Sequence, residues 1–140
     1  MASNPPQALR VTFGYQGSQV RVLGSERVAM LVPAPAGDPP AAGETGYWLA
    51  VRDAAGGVVY HQPLQDPLQT SVEVFAPEQH LPITRIPNAV REGRFTVIVP
   101  DSADAELVEL YGPPDPARPD QPSQALVRAD FDRLRRMKPP

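Results

Sequence analysis

The sequence predicts an all-β fold, an antiparallel sandwich of two sheets with seven or eight strands, followed by a C-terminal α-helix. Three observations predict it. Apolar and polar residues alternate in short segments between residues 9 and 111, which is the period of a half-buried strand. Valine supplies most of the apolar positions and suits a pleated surface. No ten-residue helical pattern separates the segments, so parallel strands joined by crossover helices are not expected.

The composition permits a packed core despite its proline content. The chain holds 19 prolines and 10 glycines in 140 residues, which is about 21% and below the level of low-complexity chains. Leucine, isoleucine, valine and phenylalanine make up about 24% of the chain, and the net charge is only −3. A structureless spacer is therefore excluded for most of the chain, and a protein of long helices is excluded by the prolines.

The strand predictions follow the alternating segments in order. The segments cover residues 9–15, 20–22, 28–32, 47–51, 58–60, 72–74, 95–99 and 105–111. Gly24 and Ser25 predict a break between the second and third segments. Ten prolines between Pro33 and Pro100 fall between the segments, where no ladder hydrogen bond is lost.

Two connections have the composition of tight turns. Residues 53–57, with the sequence Asp-Ala-Ala-Gly-Gly, provide glycines that accept a positive φ angle. Residues 100–104 provide Asp and Ser side chains that bond to a turned backbone. Both turns join consecutive strands and favour antiparallel pairing.

Changes of composition divide the chain into four parts. We predict a disordered tail at residues 1–7, the sandwich at 8–112, an extended proline-rich linker at 113–122 and an amphipathic helix at 123–138. Val127, Phe131 and Leu134 have the spacing of one helix face, and Ser123 is the expected N-cap. Basic residues occupy the last turns of this helix, where the helix dipole favours cations.

Several classes of chemistry are excluded or unsupported. The chain has no cysteine, which removes disulfides, thiolate metal sites and cysteine nucleophiles. No nucleophile elbow, zinc motif or phosphate-binding glycine loop is present, so no catalytic residue, cofactor or metal site is predicted. The net charge argues against nucleic acid, and the apolar runs are too short for membrane insertion. The N-terminus has no signal-peptide pattern, which leads us to expect a cytoplasmic protein, or a secreted one if a signal peptide has been removed.

Two alternative functions rest on a few side chains. His61 and His80 are the only histidines, and a small hydrolase would need one of them with distant acids as a site that is not visible in the sequence. A carbohydrate-binding sandwich would need exposed Tyr and Trp side chains on one face. Tyr47 and Trp48 point to opposite faces of one strand, so at least one of them is expected to face inward.

The leading hypothesis is a non-catalytic module that binds or assembles with a protein partner. It rests on the absence of catalytic motifs and on the C-terminal helix. Either the helix docks its apolar face on the sandwich, or the linker presents it to a partner; the sequence leaves both open. The predicted partner-binding residues are Phe131, Leu134, Arg135 and Arg136.

The number and spacing of the strands, with Trp48 on the third or fourth of them, resemble an immunoglobulin-like or fibronectin-type-III-like sandwich. The cysteine pair of antibody domains is missing. Residues 46–60, GYWLAVRDAAGGVVY, resemble a hairpin in the accessory β-sandwich that precedes the catalytic domain of some bacterial zinc peptidases. The zinc motif is absent, so no catalytic residue carries over. The resemblance implies an accessory domain or a small partner in a larger bacterial system.

Overall fold

The architecture is given by a computed structural model that describes residues 6–35, 37–41, 43–65, 67, 73–74, 84–85, 92–115 and 117–140. It is a two-sheet antiparallel sandwich, which confirms the predicted fold class. The elements are β1 (Gln7–Gln16), β2 (Gln19–Ala29), β3 (Tyr47–Arg52), β4 (Val58–Leu64), β5 (Glu73–Val74), β6 (Thr84–Arg85), β7 (Glu92–Pro100), β8 (Leu107–Gly112), β9 (Gln124–Asp130) and α1 (Phe131–Arg136). β1 begins at Gln7, which was the last residue of the predicted tail, and residues 1–5 lie outside the described residues. Most of the predicted strand at 72–74 is the short β5.

The first sheet has the strand order β2-β1-β7. Leu9, Val11 and Phe13 point from β1 into the core because alternate residues of a strand share one face. In β7, Val97 and Phe95 lie opposite Val11 and Phe13, and the two phenylalanine rings stack with centroids 5.2 Å apart. A two-residue turn joins β1 to β2, with Gly17 at a φ of 61°.

The second sheet has the order β4-β3-β8-β9 and packs its inner face on the first. Leu49 and Val51 of β3 pair with Leu110 and Val108 of β8, and all four are buried. The predicted turn at residues 53–57 joins β3 to β4. The Asp53 carboxylate accepts hydrogen bonds there from the backbone N–H groups of residues 55 and 57.

Two prolines lie inside strands rather than between them. Pro63 is in β4 and Pro100 ends β7. Both strands are at the edge of their sheet as far as the described residues show. A missing N–H costs no ladder bond on the open side of an edge strand, so these prolines are tolerated.

Three β-bulges interrupt the ladders, each with one extra residue on an edge strand. The extra residues are Leu23 in β2, Val59 in β4 and Leu126 in β9. The predicted break at Gly24 and Ser25 is wrong, because β2 continues through both residues. The bulge absorbs the irregularity in the alternating pattern and keeps the strand paired.

The predicted helix at 123–138 is wrong over its first half. Residues 124–130 form β9, which pairs with β8 along its length, and the helix covers only Phe131–Arg136. Pairing with β8 overrides the helical spacing of Val127, Phe131 and Leu134, because Val127 and Ala129 then face the core. Ser123 is not an N-cap: its hydroxyl donates to the carbonyl oxygen of Gly46.

The described residues of the proline-rich segment 113–122, which leave out residue 116, do not form the predicted extended linker. They connect two antiparallel neighbours, β8 and β9, and contain two tight turns. The backbone N–H of Arg118 donates to the backbone carbonyl oxygen of Asp115 at 2.9 Å. The backbone N–H of Gln121 donates to the backbone carbonyl oxygen of Arg118 at 3.1 Å. The C-terminal segment is thus part of the sandwich. Among the described residues, no helix is long and apolar enough to cross a membrane.

Replacing Gly112 with alanine is expected to destabilise the fold by about 1–3 kcal/mol. A Cβ atom at this position would lie 2.6 Å from the ring of Tyr47 and 2.8 Å from Leu126. Both neighbours lie within packed strands and must shift to admit it. Urea unfolding followed by tryptophan fluorescence measures the change, and Ser18→Ala in an exposed turn is the control. Equal stability of the two variants would contradict the packing described for β8 and β9.

Candidate functional site

A carboxylate, Glu109, is buried on the outer face of the second sheet. Its side chain is 4% exposed. Arg52 Nε donates to its Oε1 at 2.5 Å, Arg128 Nε to its Oε2 at 2.7 Å, and the Tyr111 hydroxyl to Oε1 at 2.9 Å. The register places these groups together, because Arg128 lies directly opposite Glu109 while Tyr111 and Arg52 flank it on the same face.

Burial raises the pKa of Glu109, but hydrogen bonds from Arg52, Arg128 and Tyr111 outweigh it and hold the pKa below its ordinary value. Arg52 also donates to the Gly56 oxygen at 2.7 Å and to the Tyr111 hydroxyl at 3.1 Å. The carboxylate is therefore ionised at neutral pH and engaged by three donors. This arrangement ties β3, β8 and β9 together and is a structural clamp rather than a general acid.

The aromatic side chains beside the clamp pack on one another. Trp48 stacks on Tyr111 with ring centroids 5.2 Å apart and an interplanar angle of 13°. Trp48 is 8% exposed, and Tyr47, on the opposite face of the strand, is buried to the same extent. Within the described part of the chain these rings form no exposed coplanar platform for a sugar.

His61 lies on the same outer face, opposite Ala50 in the β3–β4 ladder. It is buried, and its Nε2 lies 3.3 Å from the carbonyl oxygen of Gly37. None of the carboxylates in the described ranges bonds to it, and no three His, Asp or Glu side chains there are grouped to hold a metal ion. His80 lies outside the described residues. Among the described residues, His61 therefore has no neighbouring carboxylate with which it could form the catalytic site of a hydrolase.

Two predicted partner-binding residues, Phe131 and Leu134, are core residues. Phe131 is 0% exposed and Leu134 is 1% exposed. They pack α1 against β1, β2 and β9. Of the two alternatives that the sequence leaves open, the helix therefore takes the docked one. Their predicted contact with a partner is wrong, because a partner cannot reach a face that the sandwich already covers.

Arg135 fixes the docked helix to the β7–β8 turn. Its Nε donates to Asp101 Oδ1 at 2.8 Å, and its Nη2 donates to the Ser102 carbonyl oxygen at 2.7 Å. The guanidinium also lies 4.6 Å from the centre of the Phe131 ring. This side chain has hydrogen-bonding partners within the chain and holds α1 in place, and its role in partner binding stays a prediction.

Arg136, the last predicted residue, is exposed and belongs to a larger cationic group. We call Arg133, Arg136 and Lys138 the C-terminal basic surface. All three side chains are exposed, and none pairs with an acidic group of the described residues. Arg133 and Arg136 lie three residues apart and share one face of α1. The run of basic residues at the end of the predicted helix is the sequence feature from which Arg133 and Lys138 could have been included in this surface.

Comparisons of the chain with protein-family models, with curated proteins and with solved structures find no significant match. The resemblance of residues 46–60 to the accessory domain of zinc peptidases stays a hypothesis. The function must therefore be inferred from the side chains of this chain and from their positions.

Proposed function

We propose that this chain is a non-catalytic protein-binding or assembly module of a bacterial system. It binds an acidic segment of its partner through the C-terminal basic surface and the adjoining edge of the second sheet. The observation that carries the proposal is a set of three cations without an acidic partner among the described residues. Arg133 and Arg136 are on a helix that is fixed to the sandwich, and Lys138 follows two residues after the end of that helix. The resemblance of the 46–60 hairpin to a peptidase accessory domain supports a bacterial partner.

The charge distribution favours an acidic protein segment over nucleic acid. The three cations lie within six residues, while the rest of the chain carries a formal charge of −6. A phosphate backbone would be repelled by the remaining surface, but a short acidic segment needs only the local positive field. Because Arg135 and the buried helix face hold α1 in place, little ordering of the backbone is needed on binding.

The neighbouring edge strand, β9, supplies the rest of the surface. It bonds to β8 on one side. Among the described residues no strand is hydrogen-bonded to its other side, although β2 of the first sheet contacts β9. A groove of about 430 Å³ runs along residues 124–128. An extended partner segment can add its backbone hydrogen bonds to such an edge while its acidic side chains face the cations.

The test compares two full-length triple variants with equal loss of charge as baits in a source lysate. The first variant carries glutamine in place of Arg133, Arg136 and Lys138. The control carries glutamine in place of Arg10, Arg21 and Arg94, which lie on the exposed face of the first sheet. We expect wild type and control to capture the same partner. The affinity of the first variant for that partner is expected to fall on the order of tenfold.

Three results would contradict the proposal. They are the absence of any specifically captured partner, equal losses in both triple variants, or a capture that disappears when the lysate is treated with nuclease. The last result would show that nucleic acid, rather than a protein segment, binds the cations. Raising the salt concentration should weaken a genuine contact because exposed charges are screened.

A further inference from the structure

The outer face of the first sheet carries a second pair of cations, separate from the C-terminal basic surface. Gly14 of β1 lies directly opposite Arg21 of β2 and directly opposite Arg94 of β7. Residues opposed in this way point to the same face of a sheet. Neighbouring strands are about 4.8 Å apart, so the two arginine backbones are roughly 10 Å apart. Both side chains are long enough to reach one ligand above Gly14.

The two guanidinium groups have no acidic partner among the described residues. Both side chains are exposed. Five other arginines are paired with carboxylates: Arg10, Arg27, Arg52, Arg128 and Arg135. Glu92 lines the same groove, but its carboxylate forms no ion pair with either Arg21 or Arg94. The groove is thus lined by two guanidinium groups and one carboxylate, with no ion pair between them among the described residues.

Leu23 provides the apolar part of the floor between the two arginines, because it lies over Gly14, which has no side chain. The bulge places the extra residue Leu23 over it, and a Cβ on Gly14 would lie only 2.8 Å from Leu23 Cδ1. The groove has a volume of about 300 Å³. Tyr15, Gln16 and Gly93 complete its lining. The combination is an apolar floor flanked by two cations.

We infer that this groove binds the phosphoryl group of a small organic phosphate ester. A phosphate ester carries about −1.5 to −2 charges at neutral pH, which two guanidinium groups balance. The planar guanidinium donates paired hydrogen bonds that match the spacing of phosphate oxygens. The apolar body of the ester would lie against Leu23, and inorganic phosphate is the smallest ligand with the same charged group.

The test is a titration of the ¹⁵N-labelled full-length chain followed by NMR, with phenyl phosphate and inorganic phosphate as probes. We expect saturable shifts at the amides of Gly14 and Leu23 and at the Nε groups of Arg21 and Arg94. Dissociation constants are expected in the millimolar range for inorganic phosphate, because the site is open to water. Phenyl phosphate should bind several times more tightly, since only it covers Leu23.

Three variants decide the assignment. Arg21→Gln and Arg94→Gln are each expected to weaken both probes about tenfold. Leu23→Ala should remove most of the advantage of phenyl phosphate and leave the binding of inorganic phosphate nearly unchanged. The matched control, Arg118→Gln at an exposed position with no ion pair among the described residues, removes the same single charge elsewhere and should change neither probe. Shifts that do not saturate, or equal weakening in the control, would overturn the assignment.

Discussion

Replacing Phe131 with alanine is expected to lower the free energy of unfolding by about 3–5 kcal/mol. The ring is 0% exposed and belongs to the core cluster with Leu9, Val108 and Leu134. Removing it leaves a cavity between α1 and the two sheets, and it also removes the surface on which Arg135 lies. Urea unfolding of the full chain measures the loss of stability. If the helix were held away from the sandwich, the substitution would not cause this loss.

The matched control for this experiment is Arg136→Ala on the same helix. Its side chain is exposed and unpaired within the described residues, so the free energy of unfolding should change by no more than about 0.5 kcal/mol. A loss below about 1 kcal/mol for Phe131→Ala would contradict the docked position of α1. In that case the buried face of the helix would again be available to a partner.

Replacing Glu109 with glutamine is expected to cost about 2–4 kcal/mol at neutral pH. The amide keeps the volume but loses the charge, and its NH₂ group faces the donors of Arg52 or Arg128. Arg128→Gln should cost much less, about 1 kcal/mol or below, because that side chain is 67% exposed. The control is Glu106→Gln, an exposed residue of the preceding loop, which should be nearly neutral.

The effect of Glu109→Gln should also shrink in acid. The folded pKa of Glu109 is lower than its ordinary value of 4.5 because the donors outweigh the effect of burial. A lowered pKa gives stability that is present above pH 4.5 and is lost as the pH falls through the folded value. Unfolding of wild type and variant at neutral and acidic pH measures the difference. A difference that stays constant on acidification would contradict an ionised carboxylate in the clamp.

Alternating residues predicted the inner strands well because large apolar side chains alternate in them, although residues on both faces of β1 and β3 are buried. In β1 and β3 every second side chain faces the core, so period two is visible without knowledge of the partner strand. β9 was missed for the opposite reason. Its inward residues, Val127 and Ala129, differ in size, and Leu126 at the bulge breaks the alternation. Only its pairing with β8 shows that this segment is a strand rather than a helix.

The charged groups depend on register, which a single sequence does not reveal. Glu109 is 57 residues from Arg52 and 19 from Arg128, and the three meet only because β3, β8 and β9 are neighbours. Gly14 and Arg94 are likewise brought together by the β1–β7 ladder. The C-terminal cations could be predicted because they are close in sequence. The sequence does not show that Arg135, unlike these cations, is paired with a carboxylate, because Asp101 is close to it only in the folded chain.

Amide hydrogen exchange on the full-length chain tests the central claim most directly, namely that the C-terminal segment is an integral part of the sandwich. At the junction of β9 and α1, the backbone N–H of Phe131 donates to the backbone carbonyl oxygen of Glu106 at 2.9 Å. Its protection is expected to match that of the buried β3 amides, because both open only when the whole fold unfolds. Rapid exchange at Phe131 and along β9, with β3 still protected, would show a detachable segment and contradict the claim.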